Sequence, residues 1–332
     1  MTAQIYSRIA ILGGGAWGTA LAVAANAAGR TTLLWAREGD VIAGITRDHE
    51  NKRFLPGVTL PENLAVTGDL KEAAQADALL VTAPAQVLGD FARTLAPLVR
   101  PGTPLVICAK GIEKDTGRLV HEMVADAMPG ASCAILSGPS FAREVAMGLP
   151  TAVTIAADAA VASRLQTSLS APTFRPYASD DVIGVALGGA AKNVYAIACG
   201  VVDGLGLGEN ARASLLARSF AELARLGEAL GAKRETLMGL SGLGDLVLTA
   251  TSKSSRNFSF GMSLGQGNGL AQLEAPGRPL AEGVATAPAL VKRARALKIE
   301  LPIAEAMADL LSGELQLSEA LTRLMSRRLK SE

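Results

Sequence analysis

Histidine is nearly missing from this sequence, since His49 and His121 are the two imidazoles among its 332 residues. His49 lies in a polar stretch and His121 in a helical pattern. Neither has another histidine or a cysteine at the spacing of a metal-binding motif. We therefore predict that the protein holds no metal. A histidine general acid has almost no candidate here, so proton transfer would need another type of residue.

Cysteine is scarce as well: Cys108, Cys133 and Cys199 are widely spaced, and no C-x-x-C motif occurs. An odd number of separated cysteines in apolar surroundings indicates buried, reduced thiols rather than a disulfide framework or a redox pair. The N-terminal residues, MTAQIYSR, lack the basic-then-apolar order of a signal peptide. The lack of a signal-peptide pattern predicts a cytoplasmic protein.

Positive and negative charges are nearly balanced: the sequence has 32 Lys and Arg residues and 31 Asp and Glu residues, for a net charge of +1. A chain without a basic surplus is not expected to bind nucleic acid. Apolar residues are abundant instead, at 49% against 19% charged residues. That supply is enough for a large core, and a length beyond about 250–300 residues favours two domains.

Short apolar runs alternate with helical patterns over the first 180 residues. Eight runs are candidate strands: Arg8–Leu12, Thr31–Trp35, Leu64–Thr67, Ala78–Ala83, Leu105–Ala109, Cys133–Ser137, Thr151–Ala156 and Thr173–Tyr177. Such alternation is typical of a doubly wound, Rossmann-type, mostly parallel sheet with helices on both faces. Later residues show almost only helical patterns, including Ala211–Leu230, for which Asn210 is a candidate N-cap. We predict an α/β domain over 1–180, followed by an all-helical domain over 181–332.

Gly13, Gly15 and Gly18 form a G-x-G-x-x-G motif between the first candidate strand and a helical stretch. In a dinucleotide-binding fold, the first glycine makes a tight turn and the second lets a pyrophosphate approach the backbone. The third allows the helix to pack closely on the strand. The motif, with Ala16 and Trp17 inside it, predicts a dinucleotide site in the first domain; the alternative is an ordinary glycine-rich turn.

The residues after the second candidate strand bear on the choice of cofactor. An acidic residue there would bind the 2′-hydroxyl of a ribose, whereas an arginine accommodates a 2′-phosphate. This chain offers both, as Arg37 followed by Glu38. Because the arginine comes first, we favour NADPH and leave NADH open.

The stretch from Val182 to Val202 carries a single charge, Lys192, among Ala, Val, Ile and Gly. Its length suits a membrane span, but a charge at the centre of a bilayer costs about 2.5–3.5 kcal/mol. We predict a buried helix with no transmembrane role. A buried ammonium needs a partner, and Asp245, beside an apolar run, is a candidate. Two alternatives remain: the head of Lys192 reaches water, and Asp245 is a helix N-cap.

Further polar residues follow candidate strands or open a helix. Lys110, next to a glycine after a buried strand, is suited to meet a phosphate or a carbonyl group; the alternative is a solvated loop lysine. The loop around Gly138 and Ser140 exposes backbone N–H groups and a hydroxyl. Hydroxyls and Arg256 at the start of a helix predict an anion site. Glu282 is either a ligand-binding carboxylate or a first-turn capping residue.

These residues lie in blocks that resemble bacterial NAD(P)-dependent sn-glycerol-3-phosphate dehydrogenases over nearly the whole chain. The blocks are GGGAWGTALA at 13–22, FLPG at 54–57, KGIEKDTG at 110–117, LSGPSFAREVAMGLPTA at 136–152, AAKNVYAIACGVVDGLGLGENARA at 190–213 and LSGLGDLVLTATSKSSRNFSFG at 240–261. The resemblance implies reduction of dihydroxyacetone phosphate to sn-glycerol 3-phosphate with NADPH or NADH, for phospholipid synthesis, by a homodimer.

The resemblance also implies roles for individual residues. Lys192 would donate and accept the proton, with Asp245 and Lys110 as further catalytic residues. The implied substrate-binding residues are Lys110, Gly138, Ser140, Lys192, Asp245, Ser255, Arg256 and Asn257. The cofactor-binding residues, those of the glycine motif included, are Gly13, Gly15, Ala16, Trp17, Gly18, Arg37, Lys110, Ala142, Arg256, Leu280 and Glu282.

Three departures from the family pattern are visible. Phe54 stands where tyrosine is common, Ala85 stands where serine is common, and Glu38 follows Arg37 where a second basic residue sometimes occurs. Two other functions stay open. A β-hydroxyacid dehydrogenase would also place a lysine and an asparagine on the helix after a Rossmann domain. A non-catalytic dinucleotide sensor would bind nucleotide without turnover and would leave Lys192 unexplained.

Overall fold

The computed structural model of the protein describes residues 5–273, 275 and 281–325. The chain forms two compact units. Unit 1 holds the residues up to Lys110 together with Val120–Ala186, and unit 2 holds Gly111–Leu119 and the residues from Leu187 onward. The division predicted at residue 180 assigned Gly111–Leu119 to the first domain, and as a functional boundary it stays a prediction.

Unit 1 is built on the predicted sheet. Its strands are β1 (Arg8–Leu12), β2 (Thr31–Trp35), β3 (Ala65–Thr67), β4 (Ala78–Val81), β5 (Leu105–Ile107), β6 (Cys133–Ser137), β7 (Thr151–Ala156) and β8 (Phe174–Ser179). They lie in the order β3-β2-β1-β4-β5-β6-β7-β8. All neighbours are parallel except β6 and β7, which are antiparallel. The structure therefore confirms the mostly parallel, Rossmann-type sheet.

Both faces of this sheet are covered, because alternate side chains of one strand enter different cores. In β1, Ile9 and Ile11 pack into one hydrophobic cluster, whereas Ala10 and Leu12 pack into another. The covering helices are α1 (Ala16–Ala27), α2 (Gly39–Asp48), α3 (Leu70–Ala73), α4 (Ala85–Leu95), α5 (Val120–Ala127), α6 (Ala142–Ala146) and α7 (Ala159–Leu169). A strand buried on two faces becomes almost wholly apolar, as the sequence of β1 is.

Register brings the loops after the strands to one edge of the sheet. Leu12, the last residue of β1, pairs with Trp35 of β2 and with Val81 of β4. Val81 pairs in turn with Ile107 of β5. The glycine motif, Arg37 and Lys110 follow β1, β2 and β5 respectively, so all of them start from this carboxyl edge, where open α/β sheets bind ligands.

The described residues after Ser179 contain helices and no strand. The helices are α8 (Val182–Gly204), α9 (Gly208–Ala229), α10 (Arg234–Met238), α11 (Asp245–Thr251), α12 (Arg256–Gly265), α13 (Leu270–Leu273), α14 (Glu282–Ala296), α15 (Pro302–Leu311) and α16 (Leu317–Met325). A π-helix at Leu240–Gly244 runs directly into α11. Helix α9 begins at Gly208, so the expectation that Asn210 caps it is wrong. The helix starts earlier, directly after a turn in which Gly206 has a φ of +69°.

Helix α8 is the apolar stretch around Lys192. By length and composition it could cross a membrane, but 89% of its most apolar window is buried inside the protein. This burial is that of a core helix, as predicted. Its first residues, to Ala186, belong to unit 1, and the remainder belongs to unit 2.

The segment Gly111–Leu119 packs on helix α14 within unit 2. An antiparallel bridge between Ile112 and Leu119 closes the segment. Lys292 donates from Nζ to the carbonyl of Asp115. A Cβ atom at Gly117, whose φ is +75°, would lie 3.5 Å from the carbonyl oxygen of Ala289. That distance is ordinary van der Waals contact, so the positive φ is what favours glycine there.

The three cysteines are unpaired in the structure. Cys108 and Cys199 are buried, and burial raises the pKa of the Cys199 thiol to about 12. Cys133 is only partly buried, so the expectation of three buried thiols holds for two of them. None of the three has the low pKa of a reactive thiolate.

Candidate active site

The glycine motif makes a turn that other residues would obstruct. Gly13 has a φ of +135°, and a Cβ atom there would lie 2.3 Å from Thr82 Oγ1. A Cβ atom at Gly18 would lie 1.9 Å from the carbonyl oxygen of Gly13. Thr82 also donates from Oγ1 to the carbonyls of Leu12 and Gly13, at 3.1 and 3.3 Å. The turn and the close packing expected of the first and third glycines are confirmed.

The second glycine of the motif leaves open space where a ligand could approach. A Cβ atom at Gly15, the N-cap of α1, would meet nothing within 4 Å. The first N–H groups of α1 have no side-chain cap, and a helix N-terminus of this kind favours anions. The indole Nε1 of Trp17 is buried and has no hydrogen-bond partner. This cradle fits the pyrophosphate of a dinucleotide.

The two residues that bear on cofactor choice lie together after β2. Arg37 donates from Nη2 to Glu38 Oε1 at 3.3 Å. The side chain of Arg37 is 84% exposed, and that of Glu38 is 21% exposed. Glu38 is also the N-cap residue of α2, although its side chain makes no capping bond. An exposed guanidinium with one carboxylate neighbour can still turn towards a phosphate.

Three predicted ligand residues meet at the ends of β5 and β6 in unit 1. Lys110 donates from Nζ to the carbonyl of Gly138 at 2.9 Å, and Ser140 donates from Oγ to the same oxygen at 3.0 Å. Gly138 has a φ of +144°, and a Cβ atom there would lie 2.9 Å from the Cα of Val153. Ala142, two residues after Ser140, begins the short helix α6. An ammonium and a hydroxyl are thus held side by side.

Lys192 in unit 2 has the buried partner that its position requires. Its Nζ donates to Asp245 Oδ1 and, at 3.0 Å, to Thr249 Oγ1. Lys192 is 7% exposed, Asp245 is 0% exposed and Thr249 is 5% exposed. The predicted ion pair is confirmed, and the alternative in which the lysine head reaches water is wrong. Asp245 lies in the first turn of α11, where Gly244 takes the N-cap position.

Thr249 was not predicted as a site residue, although its spacing of four residues from Asp245 could have indicated it. It lies four residues after Asp245 on α11, so both side chains are on one face of the helix. Its Oγ1 lies 3.4 Å from Asp245 Oδ1. One carboxylate and one hydroxyl therefore fix the position of the ammonium.

A second set of side-chain hydrogen bonds joins α8, α12 and α14 in unit 2. Asn257 donates from Nδ2 to Asn193 Oδ1 at 2.9 Å, and its Oδ1 accepts from the N–H of Gly283 at 2.9 Å. Both asparagines are buried. The amide of Asn257, predicted to bind substrate, is thus engaged at both ends within the protein, and Asn193 next to Lys192 is its partner. Glu282 is the first residue of α14.

Helix α12 begins with the predicted anion-binding residues. Ser255 is its N-cap, and Ser255 Oγ accepts from the N–H of Phe258 at 3.2 Å. Arg256 is the first helical residue and is exposed. An exposed guanidinium in the first turn of a helix is suited to a phosphate. Leu280, predicted to contact the cofactor, lies outside the described residues.

Glu222 is a buried carboxylate that sequence reasoning missed. Its Oε1 accepts from the N–H of Ile303 at 2.8 Å, and its Oε2 accepts from the N–H of Ala304 at 3.2 Å. Tyr195 Oη lies 3.4 Å from the same Oε2. Burial raises the pKa of the Glu222 carboxyl to about 7. Glu222 lies on α9 and caps the N-terminus of α15. Because its partner Ile303 is 81 residues away in the sequence, no local sequence pattern indicates this contact.

Two family models match the chain. The model described as NAD-dependent glycerol-3-phosphate dehydrogenase N-terminus matches residues 8–162. The model described as NAD-dependent glycerol-3-phosphate dehydrogenase C-terminus matches residues 181–322. Together they cover most of the sequence, including the glycine motif, Lys110, Lys192 and Arg256.

Individual relatives agree with these matches. A glycerol-3-phosphate dehydrogenase (NAD(P)+) of Rhodospirillum rubrum is 55% identical over 331 residues, which are 99% of this chain and 95% of the relative. One of Parvibaculum lavamentivorans is 52% identical over 328 residues, 98% of each chain. The crystal structure of glycerol-3-phosphate dehydrogenase from Coxiella burnetii superposes with a TM-score of 0.91 at 38% identity, over 97% of this chain and 99% of that one.

Proposed function

This chain belongs to the NAD-dependent glycerol-3-phosphate dehydrogenase family, and we propose that it reduces dihydroxyacetone phosphate to sn-glycerol 3-phosphate, reversibly. The observation that carries the proposal is the buried Lys192, held by Asp245 and Thr249 on an otherwise apolar helix. Burying an ammonium is energetically unfavourable. A role in proton transfer to the reduced ketone explains why a lysine is present at this buried position. The family models that match this chain describe NAD-dependent enzymes, so a nicotinamide dinucleotide cofactor is expected. The cradle at Gly15 fits the pyrophosphate of such a cofactor.

The proton step belongs to Lys192. When bound, the reduced nicotinamide supplies a hydride to the ketone carbon, and the ketone oxygen then needs a proton. The Lys192 ammonium donates that proton from Nζ and is left as an amine, and in the reverse direction the amine accepts it. Asp245 keeps the lysine protonated before the step, because an opposite charge favours the charged form. Thr249 holds Nζ in place.

Substrate binding falls to residues whose chemistry suits a phosphate and a carbonyl. Arg256 and Ser255, at the N-terminus of α12, are proposed to hold the phosphate, which lies away from the reacting carbon. Lys110 and Ser140, with the backbone at Gly138, are proposed to bind substrate oxygens. Asn257 contributes by keeping α12 in register with α8 and α14, in addition to any contact with substrate.

Cofactor binding is proposed for the glycine motif with Ala16 and Trp17, and for Arg37, Lys110, Ala142, Arg256, Leu280 and Glu282. We favour NADPH over NADH because Arg37 is exposed after β2 and suited to a 2′-phosphate. Glu38 competes for the same guanidinium at 3.3 Å, so use of NADH is also expected.

The physiological setting is part of the proposal. A homodimer in the cytoplasm would supply sn-glycerol 3-phosphate for phospholipid synthesis. The balanced charge of the chain supports a small-molecule substrate rather than nucleic acid.

The deciding experiment follows the absorbance of NADPH and of NADH in separate cuvettes after dihydroxyacetone phosphate is added to the purified protein. Turnover with both nucleotides, faster with NADPH, is the expected result. A 3-hydroxy acid with the oxidised cofactors forms the comparison arm. Turnover of that acid, with none of the triose phosphate, would favour a β-hydroxyacid dehydrogenase. Nucleotide binding without any turnover would favour a sensor.

A further inference from the structure

A buried asparagine with no role in the proposed reaction lies behind the glycine motif in unit 1. The side chain of Asn51 is 0% exposed. Its Nδ2 donates to the carbonyl of Gly14 at 2.8 Å and to Thr19 Oγ1 at 2.7 Å. Its Oδ1 accepts from the N–H of Phe54 at 3.2 Å. Every polar atom of this amide is therefore bonded, and one contact is to the backbone of the cofactor loop itself.

The surrounding loop holds Asn51 firmly. Helix α2 ends at Asp48, and His49, with a φ of +50°, turns the chain. Glu50 and Thr59 then form an antiparallel bridge across the loop. The carbonyl of Asn51 also accepts from the N–H of Leu55 at 2.8 Å. Such a residue can act as a fixed support for a neighbouring segment.

The support acts on the peptide unit between Gly14 and Gly15. A Cβ atom at Gly14 would lie 2.6 Å from the Cβ of Ala36, so Gly14 is pressed against the end of β2. In a trans peptide the carbonyl of one residue and the N–H of the next point in opposite directions. Because Asn51 holds the Gly14 carbonyl inward, the N–H of Gly15 is turned away from Asn51, on the side opposite the held carbonyl.

The orientation of this peptide matters for an anionic ligand. Gly15 is the N-cap of α1, and the space beside it is open. With the carbonyl held by Asn51, the open cradle presents N–H groups, which bind phosphate. If the peptide turned over, a carbonyl oxygen would face the phosphates and repel them. The bond to Thr19, in the first turn of α1, ties the same amide to the helix and so fixes the loop against its helix.

We propose that Asn51 is a positioning residue for the cofactor, which keeps the Gly14–Gly15 peptide in the orientation that binds the pyrophosphate. This inference rests on the proposed dinucleotide site at the glycine motif. Asn51 touches no reacting atom in the proposed mechanism. Its loss should therefore weaken cofactor binding and leave the chemical step unchanged once the cofactor is bound.

The experiment measures the Kd of NADPH by fluorescence titration, without substrate, for the full chain and for Asn51→Ala. A rise of about tenfold or more is expected, because a buried carbonyl loses its donor and the peptide is no longer held. In turnover assays the KM for NADPH should rise in parallel, while kcat at saturating NADPH and the KM for dihydroxyacetone phosphate stay within twofold. An unchanged Kd in a folded Asn51→Ala protein would overturn the proposal, and so would a loss confined to kcat.

A second pair of variants decides the matter if Asn51→Ala does not fold. Thr19→Val removes one acceptor of the Asn51 amide and should raise the Kd of NADPH, whereas Thr19→Ser keeps the hydroxyl and should restore the wild-type value. Equal Kd values for valine and serine would contradict the proposal. Asn268→Ala is the matched control, since Asn268 donates to the carbonyl of Ser263 at 2.9 Å, in unit 2.

The titration also separates this inference from the proposed function. If the wild-type protein binds NADPH, and the Asn51 variant binds it more weakly, but neither reduces dihydroxyacetone phosphate, the function is refuted and the positioning role is kept. A protein that reduces the substrate with normal cofactor affinity in both Asn51 and Thr19 variants would refute only the positioning role.

Discussion

Gly188 of α8 lies directly against Ser241 of the π-helix: a Cβ atom at residue 188 would come within 2.5 Å of the Ser241 carbonyl oxygen. The contact is one turn before Lys192 on α8 and four residues before Asp245 along the chain. π-Helical turns of this kind are frequent at functional sites. The approach allowed by Gly188 thus sets how close the two helices carrying the ion pair can come.

Gly188→Ala should push these two segments apart. Overpacking of this kind costs typically about 1–3 kcal/mol in the free energy of unfolding, and kcat should fall because Asp245 shifts from Lys192. Urea unfolding and steady-state kinetics measure both quantities. Gly269→Ala is the control, since a Cβ atom there meets nothing within 4 Å. Equal stability of the two variants would show that the contact is unimportant.

Lys192→Ala should lower kcat by about 10²–10⁴-fold, the usual contribution of a general acid, while the Kd of NADPH holds. It also leaves Asp245 buried without its cation, which costs about 3–5 kcal/mol of stability. The double variant Lys192→Ala, Asp245→Asn should recover much of that stability and none of the activity. Near-normal kcat in either variant would remove the lysine from the proposed mechanism. Lys71→Ala, an exposed lysine of unit 1, is the control.

Arg256→Ala should raise the KM for dihydroxyacetone phosphate by about 10–100-fold, because a hydrogen bond to a charged group contributes about 1.5–3 kcal/mol. Arg256→Lys should recover part of the loss, since lysine keeps the charge without the planar fork of donors. Initial rates over a range of substrate concentrations provide the measurement. Arg234→Ala removes another exposed arginine of unit 2 and should leave the KM unchanged. An unaltered KM in Arg256→Ala would refute the phosphate assignment.

Arg37→Ala should weaken the binding of NADPH and leave the binding of NADH unchanged. The exposed guanidinium can bind a 2′-phosphate that NADH lacks, so the ratio of kcat/KM values for the two cofactors should shift by about tenfold towards NADH. Arg47→Ala, an exposed arginine of α2 paired with Asp48 at 2.7 Å, is the control. A ratio that does not change would place the 2′-phosphate elsewhere.

Glu222 should make stability depend on pH. Burial raises the pKa of this carboxyl from 4.5 to about 7, so between these values the folded protein keeps a proton that the unfolded chain has released. The stabilisation is complete below about pH 4.5 and is lost as the pH rises through about 7, on the order of 3 kcal/mol. Glu222→Gln carries no titrating group there.

The measurement is Tm at several pH values for Glu222→Gln and for the wild type. The Tm of the variant relative to the wild type should rise as the pH increases from about 4.5 to about 7. Glu228→Gln, a more exposed glutamate of the same helix, provides the baseline. A difference that is flat across this range would show that Glu222 ionises normally in the folded protein.

The sequence was sufficient where local pattern decides structure. The strand–helix alternation predicted the sheet, and the isolated charge of Lys192 predicted a buried partner, which is Asp245. Contacts between distant residues could not be predicted, because no periodicity marks them. Asn51, whose amide reaches Gly14 and Thr19, and Glu222, which caps α15 from another helix, are examples. The predicted start of α9 was wrong. Asn210 is a preferred capping residue, but the helix begins at Gly208, directly after the turn at Gly206.

The short segment Gly111–Leu119 limits how the polypeptide can be divided. Its partners, Ala289 and Lys292, lie on α14, although in the sequence the segment lies between strand β5 and helix α5 of unit 1. A recombinant fragment that stops near residue 180 would carry this segment without its support, and the complementary fragment would lack it. Two polypeptides made by a single cut are therefore expected to expose apolar surface and aggregate, whereas their co-expression should restore the missing packing.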